Sequence, residues 1–134
     1  MANLEIIEGI GPTYAEKLRS IGVRSIEALL ERGATRKGRT ELEEKSGIGH
    51  ALILDWVNRA DLMRIKGVGE EYSDLLEAAG VDTVKELKNR RPDKLFEALA
   101  ELNAEKHLVR RLPTRKMVAR WVEEAKSLQA KLEY

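Results

Sequence analysis

The sequence predicts an all-α protein of two tandem units, each built from helices joined by glycine hairpins, and three observations predict it. Apolar residues recur at helical spacing, and no run alternates cleanly enough for a strand. Gly-hydrophobic-Gly steps interrupt the helical patterns at Gly9-Ile10-Gly11, Gly47-Ile48-Gly49 and Gly67-Val68-Gly69. The first and third steps also open an internal match that pairs Tyr14 with Tyr72, Leu18 with Leu76, Gly22-Val23 with Gly80-Val81, Ile26 with Val84 and Leu29 with Leu87, always at the same offset. A duplication of that length implies two units of about 65 residues each. We place them at residues 1–60 and 61–134, joined closely through Asn58 to Ile65, because no Pro-, Gly- or Ser-rich linker separates them.

Taken in order, Leu4, Ile6 and Ile7 suit a short first helix that stops at Gly9. Pro12 then occupies the first turn of a helix, where its missing N–H is harmless, and Gly22 ends that helix. Ser25 caps the next, with Ile26, Leu29 and Leu30 inward and Gly33 as its stop. Thr35-Arg36-Lys37-Gly38-Arg39 reads as a basic, polar turn. From His50, the residues Leu52, Ile53, Trp56, Val57 and Ala60 form a wide apolar stripe, so this helix is expected at the centre of the first unit. The second half repeats hairpin and helices, then departs from the first. Pro92 opens a longer helix with Leu95, Phe96, Leu99 and Leu102, Asn103 breaks it, and Leu112-Pro113-Thr114 replaces a glycine hairpin. The last helix carries Val118, Trp121, Val122, Ala125 and Leu128, and Trp121 is the counterpart of Trp56.

Composition bounds the function. Charged residues are 35% of the chain yet nearly cancel to a net charge of +1, so any basic footprint must be local. The absence of cysteine excludes disulfides and thiolate zinc sites and suits a reducing compartment. No basic-then-apolar leader opens the chain and no 18-residue apolar run crosses it, so we expect a cytoplasmic protein with no membrane partner. His50 and His107 lie far apart in the repeat scheme, and no carboxylate pair stands in an acid/base arrangement, so we expect no enzymatic activity, no metal and no cofactor.

With Ile7 to Leu18 and Ile65 to Leu76 in view, the chain resembles the tandem helix-hairpin-helix domains of DNA repair and recombination proteins, such as the Holliday-junction-binding subunit of branch-migration machinery and bacterial DNA ligase. A closer resemblance runs through Asp55-Trp56-Val57-Asn58-Arg59-Ala60-Asp61-Leu62-Met63-Arg64-Ile65-Lys66-Gly67, Leu75-Leu76-Glu77-Ala78-Ala79-Gly80-Val81 and Val109-Arg110-Arg111-Leu112-Pro113. In this wording the chain is similar to the uncharacterised family labelled domain of unknown function 4332. The resemblance implies four hairpins in SAM-like bundles, and it brings no established activity.

In nucleic-acid-binding members of the superfamily, hairpin amides and the following helix N-terminus hold a backbone phosphate, since unpaired amides and a positive helix end attract an anion. Carried onto this chain, the resemblance implies one phosphate site at Gly9, Ile10, Gly11 and Thr13 and another at Gly47, Ile48, Gly49 and His50. Such a grip is independent of base sequence. Glu70 and Glu71 would repel a phosphate at the third hairpin, and Pro113 offers no amide at the fourth. Some members of the superfamily use a lysine as a Schiff-base nucleophile, and the resemblance makes Lys17 the nearest candidate by position, with no other catalytic group beside it in the sequence.

Charge adds a second surface. No acidic residue occurs from Lys106 to Val122, while Lys106, Arg110, Arg111, Arg115, Lys116 and Arg120 are all basic; Arg36, Lys37 and Arg39 form a smaller cluster in the other half. The expected partner is therefore DNA, bound without regard to sequence. The alternative is a protein partner, or self-association, on the same scaffold. The oligomeric state is not legible in the sequence.

Overall fold

The computed structural model describes residues 3–134, and every regular element among them is helical. A 3-10 helix at Leu4–Ile6 is followed by α1 (Pro12–Ser20), α2 (Ile26–Arg32), α3 (Arg36–Ser46), α4 (His50–Leu62), α5 (Glu70–Ala78), α6 (Val84–Lys88), α7 (Pro92–Lys106) and α8 (Arg115–Ser127). Among the described residues no helix is long and apolar enough to cross a membrane. Contacts gather the chain as far as Asp61, with Lys131–Tyr134, into one compact unit, and Leu62–Ala130 into another.

In the first unit the helix boundaries follow local chemistry. Pro12 stands at the start of α1, and Ser25 caps α2 by accepting from the Ala28 amide at 3.1 Å. The segment expected as a polar turn at Thr35–Arg39 is instead the cap and first turn of α3. The Thr35 hydroxyl accepts from the Gly38 amide at 3.0 Å, which satisfies an end amide that a helix cannot satisfy itself. Gly38 is not a turn glycine either. A Cβ there would stand 2.1 Å from the Arg32 carbonyl oxygen, so the end of α2 and the start of α3 touch backbone to backbone. Gly33, between them, is crowded by Val57, whose Cγ2 would lie 2.5 Å from a Cβ. Leu18, Leu29, Leu42, Ile53, Trp56 and Val57 are fully enclosed by this packing. Leu52, expected in the inward stripe of α4, faces solvent with 37% of its surface exposed. The last four residues, expected in the second unit, lie with the first: the Glu133 amide donates to Ala34 O at 2.8 Å, and the Tyr134 hydroxyl lies 2.6 Å from Asn58 Oδ1.

In the second unit Thr83 caps α6 and Thr114 caps α8. Helices α6 and α7 both pack on α8, around Leu75, Leu76, Leu87, Leu99, Val118 and Trp121. Asn103 does not end α7. It lies inside the helix and its amide reaches forward, accepting from the Val109 N–H at 2.9 Å and donating to the Val109 carbonyl at 3.2 Å. That pair of bonds holds the chain as it leaves the helix through His107, whose φ of 51° is left-handed.

Candidate functional site

The first glycine turn is shaped by packing against an indole. Gly9 has φ +93°, a conformation costly for any residue with a Cβ, and a Cβ there would meet Trp56 Nε1 at 3.2 Å. The turn closes when the Ile10 amide donates to Ile7 O at 3.1 Å. Ile10 was expected to offer that amide to a phosphate; the amide is committed and the side chain is buried, so Ile10 anchors the turn instead. Gly11 begins α1 with no side-chain cap, and the helix ladder starts only when Ala15 donates to Gly11 O. The amide of exposed Thr13 precedes that ladder and points out of the helix end. Nothing lies within 4 Å of a Cβ built on Gly11.

The second turn is similar in outline. Gly47 is left-handed at φ 74° and donates to Glu43 O, while the Ile48 amide donates to Ser46 Oγ at 3.1 Å. Ile48, like Ile10, is therefore an anchor with a spoken-for amide rather than a phosphate donor. Gly49 again has open space where a Cβ would stand, and Ile53 donates to its carbonyl as α4 begins. His50 is exposed, with Nδ1 2.9 Å from the Glu43 carboxylate.

At the third turn an internal carboxylate is held just ahead of the glycines. Both oxygens of Glu124 accept from the Lys66 amide at 3.2 Å, and Glu70 and Glu71 occupy the first turn of α5. At the fourth, Pro113 is buried and Thr114 supplies its own hydroxyl to the Met117 amide.

The basic segment is exposed at all six expected positions: Lys106, Arg110, Arg111, Arg115, Lys116 and Arg120. Among the described residues none of the six is in an ion pair. They do not all share one environment. Arg115 lies 4.4 Å over the Phe96 ring, a cation–π contact that fixes it against α7. Arg120 borders a cleft of about 280 Å³ with Lys66, Gly67, Met117, Trp121 and Glu124. The carbonyl of Arg111 accepts from the Tyr72 hydroxyl at 3.0 Å, which ties its loop to α5.

The smaller cluster divides. Arg36 and Lys37 are exposed, but Arg39, expected on the same basic surface, is only 2% exposed. The sequence carried the signal for its burial: with Thr35 as a cap, Arg39 falls one turn before Leu42 on the inward face of α3. Lys17 sits 5.9 Å over the Tyr14 ring, and among the described residues no three His, Asp or Glu side chains gather as a metal site.

The fold and these surfaces define a class: an all-helical protein in which three helices, α1, α4 and α5, start at exposed glycine turns. The chain belongs to the family described as Domain of unknown function (DUF4332), whose model matches residues 8–128. It is also 30% identical over 102 residues to adenylosuccinate synthetase of Borrelia duttonii (strain Ly), a match covering 76% of this chain and 21% of that protein. The chain thus spans about a fifth of the length of that curated relative. No solved structure matches it.

Proposed function

We propose that this protein is a non-enzymatic binder of nucleic-acid backbone, built as two tandem helix-hairpin-helix units and acting without regard to base sequence. The observation that carries the proposal is the run from Lys106 to Val122, in which six exposed cations stand with no acidic residue between them and, among the described residues, none is in an ion pair. The segment contains no acidic residue of its own, so its cations make a local positive field of the kind that a run of backbone phosphates neutralises. The repeat supports the scaffold half of the proposal. Tyr14 packs on Trp56 and Tyr72 on Trp121 in the same way, and each indole nitrogen faces the first glycine of the hairpin in its own unit.

Within the first unit, the amides at Gly11, Thr13, Gly49 and His50 are the remaining phosphate donors. Gly11 and Gly49 have ordinary surroundings in which the fold itself does not require glycine, but a bare backbone lets a phosphate approach. The acidic Glu70 and Glu71 in the first turn of α5 disfavour a phosphate at the third hairpin. Fluorescence anisotropy with duplex, single-stranded and branched DNA at two salt concentrations tests the proposal. Affinity for every sequence, falling steeply with salt, is the expected result; no binding at low salt would leave the protein-interaction reading in its place.

A further inference from the structure

Arg39 is the most unusual charge in the first unit. Its side chain is 2% exposed, and its hydrogen bonds go only to carbonyls: Nη1 to Gly33 O at 2.9 Å and Ala34 O at 3.3 Å, Nη2 to Glu133 O at 2.6 Å. Nε is buried and, among the described residues, has no acceptor. Among the described residues no carboxylate pairs with this guanidinium. Buried charges are otherwise paired, because desolvation without a counterion is among the costliest things a fold can do.

A cleft of about 260 Å³ adjoins it, bounded by Arg36, Arg39, His50, Leu54 and Tyr134. Arg36 is exposed and lies one helical turn before Arg39 on α3. His50 opens α4, so the helix's positive end faces the same region, and with Nδ1 held by Glu43 the imidazolium form presents Nε2–H as a donor to another partner. Leu54 and the Tyr134 ring supply apolar walls, the ring lying 5.3 Å from the Arg39 guanidinium carbon. Glu43, behind the imidazole, is engaged by its Nδ1.

We infer that this cleft binds a phosphomonoester, with Arg36 and His50 touching the phosphate and Arg39 supplying the buried charge behind them. Two guanidiniums and a helix end match a dianion better than a single carboxylate, and guanidinium is the group best shaped for phosphate oxygens. The apolar walls leave room for the organic group to which the phosphate is attached. The inference rests on the nucleic-acid reading only for the source of that group, the terminal phosphate of a strand; a free mononucleotide carries the same chemistry.

The test uses the full chain labelled with 15N. Inorganic phosphate, a nucleoside 5′-monophosphate, and one short oligonucleotide with and without its 5′-phosphate are titrated while the Arg39 Nε–Hε and His50 ring signals are followed. The expected result is a saturable shift with the monophosphate, with a midpoint on the order of 1 mM or below. Arg36→Ala and His50→Ala, both at exposed positions, should each weaken it by about tenfold, as loss of a charge-assisted bond does. A terminal-phosphate site gives at least tenfold tighter binding of the 5′-phosphorylated oligonucleotide than of its 5′-hydroxyl form, and that preference disappears in Arg36→Ala. Equal affinity for the mononucleotide and the phosphorylated strand assigns the cleft to the free nucleotide. Failure of both phosphate and monophosphate to give saturable shifts, or shifts that Arg36→Ala and His50→Ala leave unchanged, overturns the inference even if unphosphorylated duplex binds elsewhere. Conversely, monophosphate binding without any duplex binding would sink the nucleic-acid reading and leave the cleft standing.

Discussion

The ring of Tyr14 meets the indole of Trp56 edge-on, with centroids 5.1 Å apart and planes inclined at 61°. Trp56 is wholly enclosed, yet among the described residues its Nε1–H has no acceptor, facing instead the turn at Gly9. The contact is therefore made for packing. Trp56→Ala should destabilise the protein by about 3–5 kcal/mol, because the site is walled by helices that collapse only in part. Trp56→Phe, which keeps an aromatic against Tyr14 and removes the unpartnered N–H, should cost distinctly less. Urea denaturation of both variants decides it; equal losses would mean that the indole nitrogen has a partner in solution.

The glycines divide into those the fold needs and those it does not, and stability should sort them. Gly38→Ala drives a methyl to within 2.1 Å of the Arg32 carbonyl, so α2 and α3 must part, at a cost of about 1–3 kcal/mol despite alanine's better helix propensity. Gly11→Ala meets nothing and should leave stability within about 0.5 kcal/mol. If Gly11 serves phosphate approach, the same variant should lose DNA affinity while melting like the wild type. Full affinity in Gly11→Ala would remove the first hairpin from the interface.

The all-helical fold was legible because its evidence is local. Capping by Ser25, termination at Gly33 and the start of α1 at Pro12 each depend on one residue and its immediate neighbours. What the sequence concealed depends on distant backbone. Gly38 resembles a turn residue until Arg32 is known to lie against it, and Arg39 resembles a surface cation until carbonyls of Gly33 and Glu133 are found around it. Asn103 looks like a helix breaker for the same reason, since its forward bonds to Val109 cannot be seen in periodicity. The positions of the glycine turns were legible, but not which amides were free: Ile10 and Ile48 spend theirs within the turn.

The terminal residues offer a test of how Arg39 is held. Removing residues 131–134 takes away the Glu133 carbonyl and the Tyr134 ring over the guanidinium, and should cost about 1–2 kcal/mol. Glu133→Ala keeps the carbonyl and should be close to neutral. A thermal melt in which Glu133→Ala is as damaging as the deletion would assign the effect to the carboxylate instead of the backbone.

The basic segment supplies the sharpest test of the functional proposal, because its members differ in what else they do. Arg120 borders the cleft beside Gly67 and, among the described residues, is in no ion pair, so Arg120→Ala should leave stability unchanged. If it contacts a phosphate, the variant should weaken binding to DNA of every sequence alike and flatten the slope of log affinity against log salt by about 0.9. Arg115→Ala should show the same change in slope together with a loss of stability of about 0.5–1 kcal/mol, since it also uncovers the Phe96 ring. A protein-binding surface would behave otherwise: only the arginines with a specific mate would matter, and the DNA salt slope would be shallow in the wild type already. Glu124→Gln sharpens the comparison, because it discharges the carboxylate on the Lys66 amide without removing a cation. On the phosphate reading it should raise DNA affinity severalfold at low salt. Unchanged affinity in Glu124→Gln, with unchanged slopes in both arginine variants, would take the second unit out of the nucleic-acid interface.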